Sequence, residues 1–306
     1  MRVSIYLALA GVLVLSAVLG PVARRLAPKP AACLLAAGSL AAGLGWVAGL
    51  GLLAIATVGR VAPAGAAGHW SVAVLEARDP VPVGAGLVSL AVLVLVACVV
   101  VTCAGRLAAG LVQFGRLHAL AGRRRCGDLV VLDDAHPQAL ALPGWPGSIV
   151  VSSGMLRALG PAERQVLLAH ERAHLRGWHW AFRLTTRLGA ALLPTLGPLV
   201  ARCDQALERW ADEVAAGVVG DRSVAASAVG RAALATTAHH RSAMLAAFSG
   251  GGVAERVEAL LGPCPSSRWA TAALPAALGV VVLVTGIEAA RDLEGLFEAA
   301  RHVWMR

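Results

Sequence analysis

The sequence is poor in charged and aromatic side chains and lacks any paired-cysteine motif. Charged residues form 15% of the 306-residue chain and aromatic residues 4%, whereas apolar residues form 58%, with a mean hydropathy of +0.70. A soluble domain carries about 25% charged residues, so this composition argues against an ordinary soluble protein and excludes a disordered one. The six cysteines form no C-x-x-C pair, which excludes a disulfide framework and a cysteine-based zinc site.

Lysine is nearly absent as well, and Lys29 is the single example among 27 basic residues. The formal net charge is +9. In a polar protein this excess would indicate nucleic-acid binding, but in so apolar a chain it indicates arginines beside membrane spans. The short, juxtamembrane run 123–125 predicts contact with anionic lipid head groups, and no direct nucleic-acid partner is expected. A genome biased toward arginine and alanine is the alternative explanation.

Four uncharged runs are long enough to cross a lipid bilayer, which takes about 20 helical residues. They are Val3–Val22, Pro30–Gly59, Pro80–Gly105 and Trp269–Ile287. We predict transmembrane helices at about 3–22, 33–57, 83–104 and 269–288. Because Arg24 and Arg25 follow the first run, we expect an uncleaved span rather than a signal peptide.

The arginines also predict the orientation. They cluster in the turn after the first span and in the segment after the third, while the loop 61–79 is nearly neutral. The positive-inside rule then places residues 106–268 in the cytoplasm and leaves the loop 61–79 and the short tail 289–306 outside. The predicted fold is a mainly α, multi-pass cell-membrane protein with a cytosolic α+β domain between its third and fourth spans.

The cytosolic segment contains nearly all of the polar chemistry. Strands are predicted at 129–132, 138–142 and 148–151, the last two joined as a hairpin, with Ser148, Ile149, Val150 and Val151 forming a candidate edge strand. Pro161 and Glu163 begin a helix that runs to about Arg176, where Gly177 follows. The uncharged run Leu188–Ala201 is too short for a span and predicts a hydrophobic helical turn facing the membrane or the core.

The pentapeptide His170–His174 reads H-E-x-x-H on this predicted helix. Residues i and i+4 share a helical face, so His170 and His174 can offer nitrogens to one Zn²⁺. Glu171 lies about 100° around the helix, where it can reach an attacking water without being a ligand. The alternative is a polar helix face that binds no metal.

A catalytic zinc ion needs a third protein ligand and an open position. His179 and the pair His239–His240 are candidates, but Trp180 stands where the H-x-x-G-x-x-H pattern requires histidine, and we interpret the pair as solvated. Glu208 follows His174 by 34 residues, enough for a connection and a returning helix. Asp212 is its i+4 neighbour and could orient a ligating histidine. An exposed helix face is the alternative for this carboxylate pair.

Several segments together resemble gluzincin integral-membrane peptidases: Ile149–Leu156, Leu159–Arg164, His170–His174 and Glu208–Asp212. Three spans, a cytosolic zinc domain and a fourth span are similar to the BlaR/MecR type of regulatory metallopeptidase. The segment Arg256–Leu261 also resembles one found in members of that type. The resemblance covers essentially the whole chain.

This resemblance implies one Zn²⁺ held by His170, His174 and Glu208, with Glu171 as general base and Asp212 behind the ligands. Zinc would polarise the scissile carbonyl, and Glu171 would carry a proton from water to the leaving amine. A substrate strand would pair with the candidate edge strand. We do not expect the extracellular penicillin-binding sensor domain of the best-known members, so β-lactam sensing is not carried over. His179 stands where such proteins often have an acidic residue, which leaves its role open.

The expected substrate is a cytosolic or membrane-proximal protein, such as a transcriptional repressor or the peptidase itself. One alternative is a quality-control membrane peptidase like the HtpX group and its CAAX-prenyl-protease relatives. Another is a catalytically inactive membrane signalling scaffold, which would lack stoichiometric zinc. The sequence makes no prediction of the oligomeric state.

Overall fold

The computed structural model describes residues 2–78, 81–121, 125–144, 147–239, 243–266 and 269–306, and most of them are helical. In chain order the helices and strands are α1 (Arg2–Ala23), α2 (Pro28–Val58), α3 (Ala62–Gly68), α4 (Val72–Arg78), α5 (Val83–Ala121), β1 (Arg125–Cys126), β2 (Leu129–Leu132), β3 (Ala139–Leu142), β4 (Ser148–Ser152), α6 (Ser153–Ala158), α7 (Pro161–Arg176), α8 (His179–Leu192), α9 (Gly197–Val219), α10 (Arg222–His239), α11 (Ala243–Leu261) and α12 (Ala273–Trp304).

Among the described residues, four helices have the length and the apolar composition needed to cross a membrane. The apolar stretches are Ser4–Ala23, Pro28–Val58, Val83–Gly110 and Ala270–Trp304. Helices α1, α2 and α5 cover the segments 3–22, 33–57 and 83–104. The fourth begins where expected but continues as helix through the segment predicted as a tail, so α12 is longer than the sequence suggested.

The end of α12 stays helical because it packs on the loop between α2 and α5. The indole Nε1 of Trp70 donates to the carbonyl of Gly59 at 2.9 Å, and its ring meets Phe297 edge-on with centroids 4.9 Å apart. The backbone N–H of Ser71 donates to the carbonyl of Ala300 at 3.0 Å. The loop between α2 and α5 and the C-terminal end of α12 therefore pack together as one small unit at the end of the helical bundle.

The sheet has the order β1-β2-β4-β3. Strand β4 pairs with β2 in parallel and with β3 in antiparallel fashion, which confirms the predicted hairpin. The prediction that Ser148–Val151 forms an edge strand is wrong. Strand β4 lies between β2 and β3, and its residues Ile149 and Val151 are fully buried. Strand β3 forms the edge instead. Trp145 and Pro146 of the intervening turn lie outside the described residues.

Helix α7 begins at Pro161 and ends before Gly177, as predicted. The carboxylate of Glu163 accepts a hydrogen bond from the backbone N–H of Gly160 at 2.8 Å, which is half of a capping box. The same carboxylate accepts from the Ser227 hydroxyl at 2.7 Å and from Arg231 at 3.0 Å. The start of the H-E-x-x-H helix is thereby fastened to α10.

Helices α8 and α9 form a hairpin that enters the helical bundle. Its tip is a short 3₁₀ turn at Pro194–Leu196, where Leu193 and Leu196 pack in one buried cluster with residues of α1, α2 and α12. Helix α8 crosses α2 so closely that a Cβ at Gly189 would lie 2.5 Å from the backbone of Ser39. The expected hydrophobic turn over 188–201 is confirmed, and it faces the core of the bundle.

Candidate active site

The structure brings the two histidines of α7 and Glu208 of α9 to one point. The Nε2 atoms of His170 and His174 lie 3.0 Å apart. The two carboxylate oxygens of Glu208 divide between them, with Oε2 at 3.4 Å from His170 Nε2 and Oε1 at 3.5 Å from His174 Nε2. All three ligand atoms lie within 4.8 Å of one another, which is the convergence that the predicted metal site requires.

Each histidine is held from behind by a second residue. His170 Nδ1 lies 2.9 Å from Asp212 Oδ1, and His174 Nδ1 lies 2.7 Å from His179 Nδ1. These contacts keep both Nε2 atoms turned toward Glu208, which is how metal-binding histidines are usually oriented. Two imidazole nitrogens and one carboxylate are a donor set that fits Zn²⁺.

The charge states of two of these residues suit metal binding. Burial opposes ionisation of Glu208, but the hydrogen bond with His170 and the positive charges around it lower the pKa of the carboxyl. Burial also favours the neutral imidazole of His174 and, with the positive charge on His170, lowers its pKa to about 3. An ionised carboxylate and a neutral imidazole are the forms that can donate electron pairs to a cation.

His170 has the opposite tendency. Burial alone would lower its pKa, but hydrogen bonds to Asp212 and Glu208 and the negative charges of Asp212 and Glu171 together raise the pKa to about 9. Burial opposes ionisation of Asp212 more than any single contact favours it, but the hydrogen bonds from Arg256 and His170 and their positive charges together lower its pKa, so this carboxyl stays ionised behind the ring. The proton of His170 Nδ1 thus has a fixed acceptor, and a metal ion bound at Nε2 would displace the second proton of the imidazolium.

Glu171 stands beside the histidine pair and faces strand β3. Its side chain is buried, with 8% of its surface exposed. Burial raises the pKa of its carboxyl, although the charge of His170 and a hydrogen bond from the Ala141 backbone oppose this. A carboxyl group with a raised pKa, close to two metal-ligating candidates, is suited to accept and return a proton.

Two arginines complete the site, and the sequence predicted a role for neither of them. Arg183 of α8 donates to Glu208 Oε1 at 2.7 Å and to Asp204 at 3.0 Å. Arg256 of α11 makes two hydrogen bonds of 2.7 Å to Asp212 and lies 3.3 Å from Glu208 Oε2. Arg183 is four residues after His179 on one helix, a spacing that could have linked it to the site. Arg256 is 44 residues from Asp212 in sequence, so no local spacing links the two.

His179 belongs to the site, although its role was left open by the sequence. Only 1% of its surface is exposed, and its ring packs on Trp210 with centroids 4.5 Å apart. A Cβ at Gly177 would lie 2.6 Å from His179 Nε2, so only glycine leaves room for this ring. His239 ends α10 and His240 lies outside the described residues.

Two cavities border the candidate site. An apolar cleft of about 720 Å³ lies between β3, α7 and α10, and a smaller, more polar one of about 240 Å³ lies beside Trp180 and Arg183. Residues of β3 line both cavities. The open edge of this strand therefore runs past His170 and Glu171, which also border both.

Comparisons with known proteins agree with this geometry. The sequence profile described as peptidase family M48 matches residues 113–269. The plastoglobule-localized metallopeptidase 48, chloroplastic, of Arabidopsis thaliana is 38% identical over 89 residues, which are 27% of this chain and 26% of that protein. The chain thus spans about a quarter of this relative's length. No solved structure matches the sequence of this chain. Because the family profile covers just over half of the sequence, including every residue of the candidate site, the chain belongs to peptidase family M48.

Proposed function

We propose that the protein is a membrane-embedded, zinc-dependent endopeptidase that cleaves cytosolic or membrane-proximal proteins. The single observation that carries this proposal is the convergence of His170 Nε2, His174 Nε2 and the Glu208 carboxylate within 4.8 Å, beside the buried Glu171. Family membership supports peptide-bond hydrolysis, and the donor set supports zinc as the metal.

Glu171 is the group that moves the proton in this proposal. A Zn²⁺ ion held by His170, His174 and Glu208 would polarise the scissile carbonyl and acidify the attacking water. The carboxylate of Glu171 takes a proton from that water and later gives it to the amine nitrogen that leaves. Its burial keeps competing solvent away, and its raised pKa brings its basicity closer to that of the groups with which it exchanges the proton.

The substrate backbone is proposed to add along strand β3 rather than along β4. Strand β3 is the outer strand on this side of the described sheet, and an extended peptide pairs readily with such an edge. The apolar cleft beside it has room for bulky side chains of the peptide, while Arg183 and Trp180 border the polar cavity on the other side.

A position close to the membrane surface is supported by the path of α9. Twelve residues separate Leu196, at the buried tip of the hairpin, from Glu208, which corresponds to about 18 Å along a helix. Two residues further on, the ring of Trp210 lies 5.4 Å from Nζ of Lys29, in the first turn of α2, which directly follows the basic turn between α1 and α2. The positive-inside rule assigns this basic turn to the cytoplasmic side of the cell membrane.

We further propose that the substrate is a regulatory protein such as a transcriptional repressor, with self-cleavage as a related reaction. The arrangement of three long apolar helices before the peptidase segment and one after it supports this narrower assignment. It is the layout that makes the chain resemble the BlaR/MecR type.

The test compares membranes containing the wild-type chain, Glu171→Gln and a control, Glu258→Gln. Glu258 is exposed on α11, so its substitution removes one carboxylate without touching the site. Proteome-wide mapping of new protein termini should show fragments with the wild type and the control that are lost with Glu171→Gln. Identical fragments in all three would refute the peptidase assignment. Fragments from many misfolded membrane proteins would instead support the quality-control alternative.

Zinc content separates the enzyme from a scaffold. We expect one zinc per chain in the wild type and in Glu171→Gln, because Glu171 is not among the three converging ligands. Purified wild-type protein without stoichiometric zinc would favour a catalytically inactive signalling protein.

A further inference from the structure

A third cavity, away from the candidate active site, is lined by three arginines. It has a volume of about 430 Å³ and lies where the turn between α1 and α2 meets α9. Arg24 borders it from the turn, and Arg202 and Arg209 border it from α9. In the part of the chain that the structure describes, none of the three guanidinium groups forms an ion pair with a carboxylate.

These arginines differ from those of the active site, where Arg183 and Arg256 are bound to carboxylates. Arg209 is partly buried, and its Nε atom is fully shielded without a hydrogen-bond partner among the described residues. A shielded donor without a partner destabilises a protein, and the planar guanidinium group matches phosphate oxygens in geometry and charge. The cavity therefore has the chemistry of a phosphate site.

An apolar groove of about 680 Å³ adjoins this cavity. It runs between α1, α2 and α12, and Leu26 lines both the groove and the arginine cavity. Lys29, the one lysine of the chain, also lines the groove. A ligand that fills both spaces has an anionic head and a long apolar tail.

We propose that the cavity and the groove together bind one anionic phospholipid of the cytoplasmic leaflet. Its phosphate would lie among Arg24, Arg202 and Arg209, and one acyl chain would lie along the groove. Glu255 also lines the cavity and is hydrogen-bonded to Gln205. Three guanidinium groups against one carboxylate suit a single phosphodiester better than a polyanionic head group.

The lipid would contact the helix that carries the candidate metal ligand. Arg209 follows Glu208 directly, so a phosphate bound at Arg209 would hold this part of α9 against the turn between α1 and α2. This inference goes beyond the proposed peptidase function and does not depend on it, because the site can be tested by binding alone.

The experiment uses the full chain in a neutral maltoside detergent after removal of bound lipid. Phosphatidylglycerol, phosphatidylcholine and glycerol 3-phosphate are titrated separately, and bound lipid is counted by native mass spectrometry. We expect one phosphatidylglycerol per chain and weaker binding of phosphatidylcholine. Because each basic residue near a membrane surface contributes about 1 kcal/mol, Arg202→Gln with Arg209→Gln should weaken phosphatidylglycerol binding about thirtyfold.

The matched control is Arg157→Gln, which removes one exposed arginine of α6, remote in sequence from both α1 and α9. It should bind phosphatidylglycerol like the wild type. Equal loss in the control and in the double variant would overturn the site, as would equal binding of phosphatidylcholine. Glycerol 3-phosphate that binds as tightly as the lipid would overturn the lipid assignment and leave a soluble phosphate ester as the ligand.

A double variant that fails to fold would be replaced by Arg24→Gln, which changes an exposed residue of the turn. It should weaken phosphatidylglycerol binding about fivefold, with thermal unfolding in the absence of lipid unchanged. Unchanged binding in a folded Arg24→Gln protein would count against the proposed head-group position.

Discussion

Replacing His179 by alanine is expected to weaken zinc binding without removing a ligand. The imidazole of His179 accepts the Nδ1 proton of His174 across 2.7 Å when Nε2 of His174 faces the metal. Because His179 is only 1% exposed, its removal leaves a void and an unpaired N–H rather than a site open to water. Loss of such a supporting contact weakens metal affinity 10- to 100-fold, or by about 1.4–2.7 kcal/mol.

The measurement is a competition between the purified protein and a chromophoric zinc chelator. His179→Asn supplies an amide oxygen near the position of Nδ1 and should recover part of the affinity. Gly177→Ala tests the same contact from the other side, since its Cβ would lie 2.6 Å from His179 Nε2 and displace the ring. His136→Ala, which changes an exposed histidine on the surface, serves as the control.

We expect the wild type and His136→Ala to bind zinc most tightly, His179→Asn to bind it less tightly, and His179→Ala to bind it least tightly. If His179→Ala holds zinc as tightly as the wild type does, the contact with His174 does not orient the ligand. A lower zinc affinity in the His136→Ala protein as well would indicate a general loss of structure.

Three further outcomes are expected. Glu171→Gln should lower peptide cleavage about 10²- to 10⁴-fold at unchanged zinc content, measured with a substrate found in the terminus mapping. Glu163→Gln should lower the free energy of unfolding by about 2–3 kcal/mol at neutral pH, because Gly160, Ser227 and Arg231 lose an ionised acceptor. Burial opposes ionisation of Glu163, but those hydrogen bonds lower its pKa below 4.5. The variant and the wild type should therefore become equally stable as the pH falls through this lowered pKa. Chemical unfolding at a series of pH values measures the trend. Gly189→Ala should destabilise the bundle by about 1–3 kcal/mol, because its Cβ would lie 2.5 Å from the backbone of α2. The control Gly51→Ala should not, because its Cβ would meet no neighbouring element within 4 Å. Thermal unfolding in detergent compares the two variants.

Local features explain the parts of the fold that the sequence predicted well. Pro161 and Gly177 mark the two ends of α7 because proline suits a first helical turn and glycine suits the position after the last. The apolar helices follow from uninterrupted length alone. The convergence of Glu208 with the histidines could be expected because H-E-x-x-H and a later carboxylate pair each specify one helical face.

The features that were mispredicted or left open depend on distant contacts. Strand β4 was expected at an edge because no segment in the sequence identified β2 as its parallel partner. His179 could not be assigned because it reaches His174 through a left-handed turn at Trp178, with φ of 53°, a conformation that a tryptophan gives no reason to expect. The arginines that hold the carboxylates come from helices on either side, so their roles appear only once the helices are packed.

The α8–α9 hairpin has a practical consequence for work on this protein. Leu193, Leu196 and Leu199 share one buried cluster with residues of α1 and α2, so a cut at residue 106 would divide a single core rather than separate two modules. An excised peptidase fragment would display these leucines to water and aggregate. Recombinant work therefore has to retain the first two helices, and a detergent or lipid nanodisc has to accompany the protein at every step.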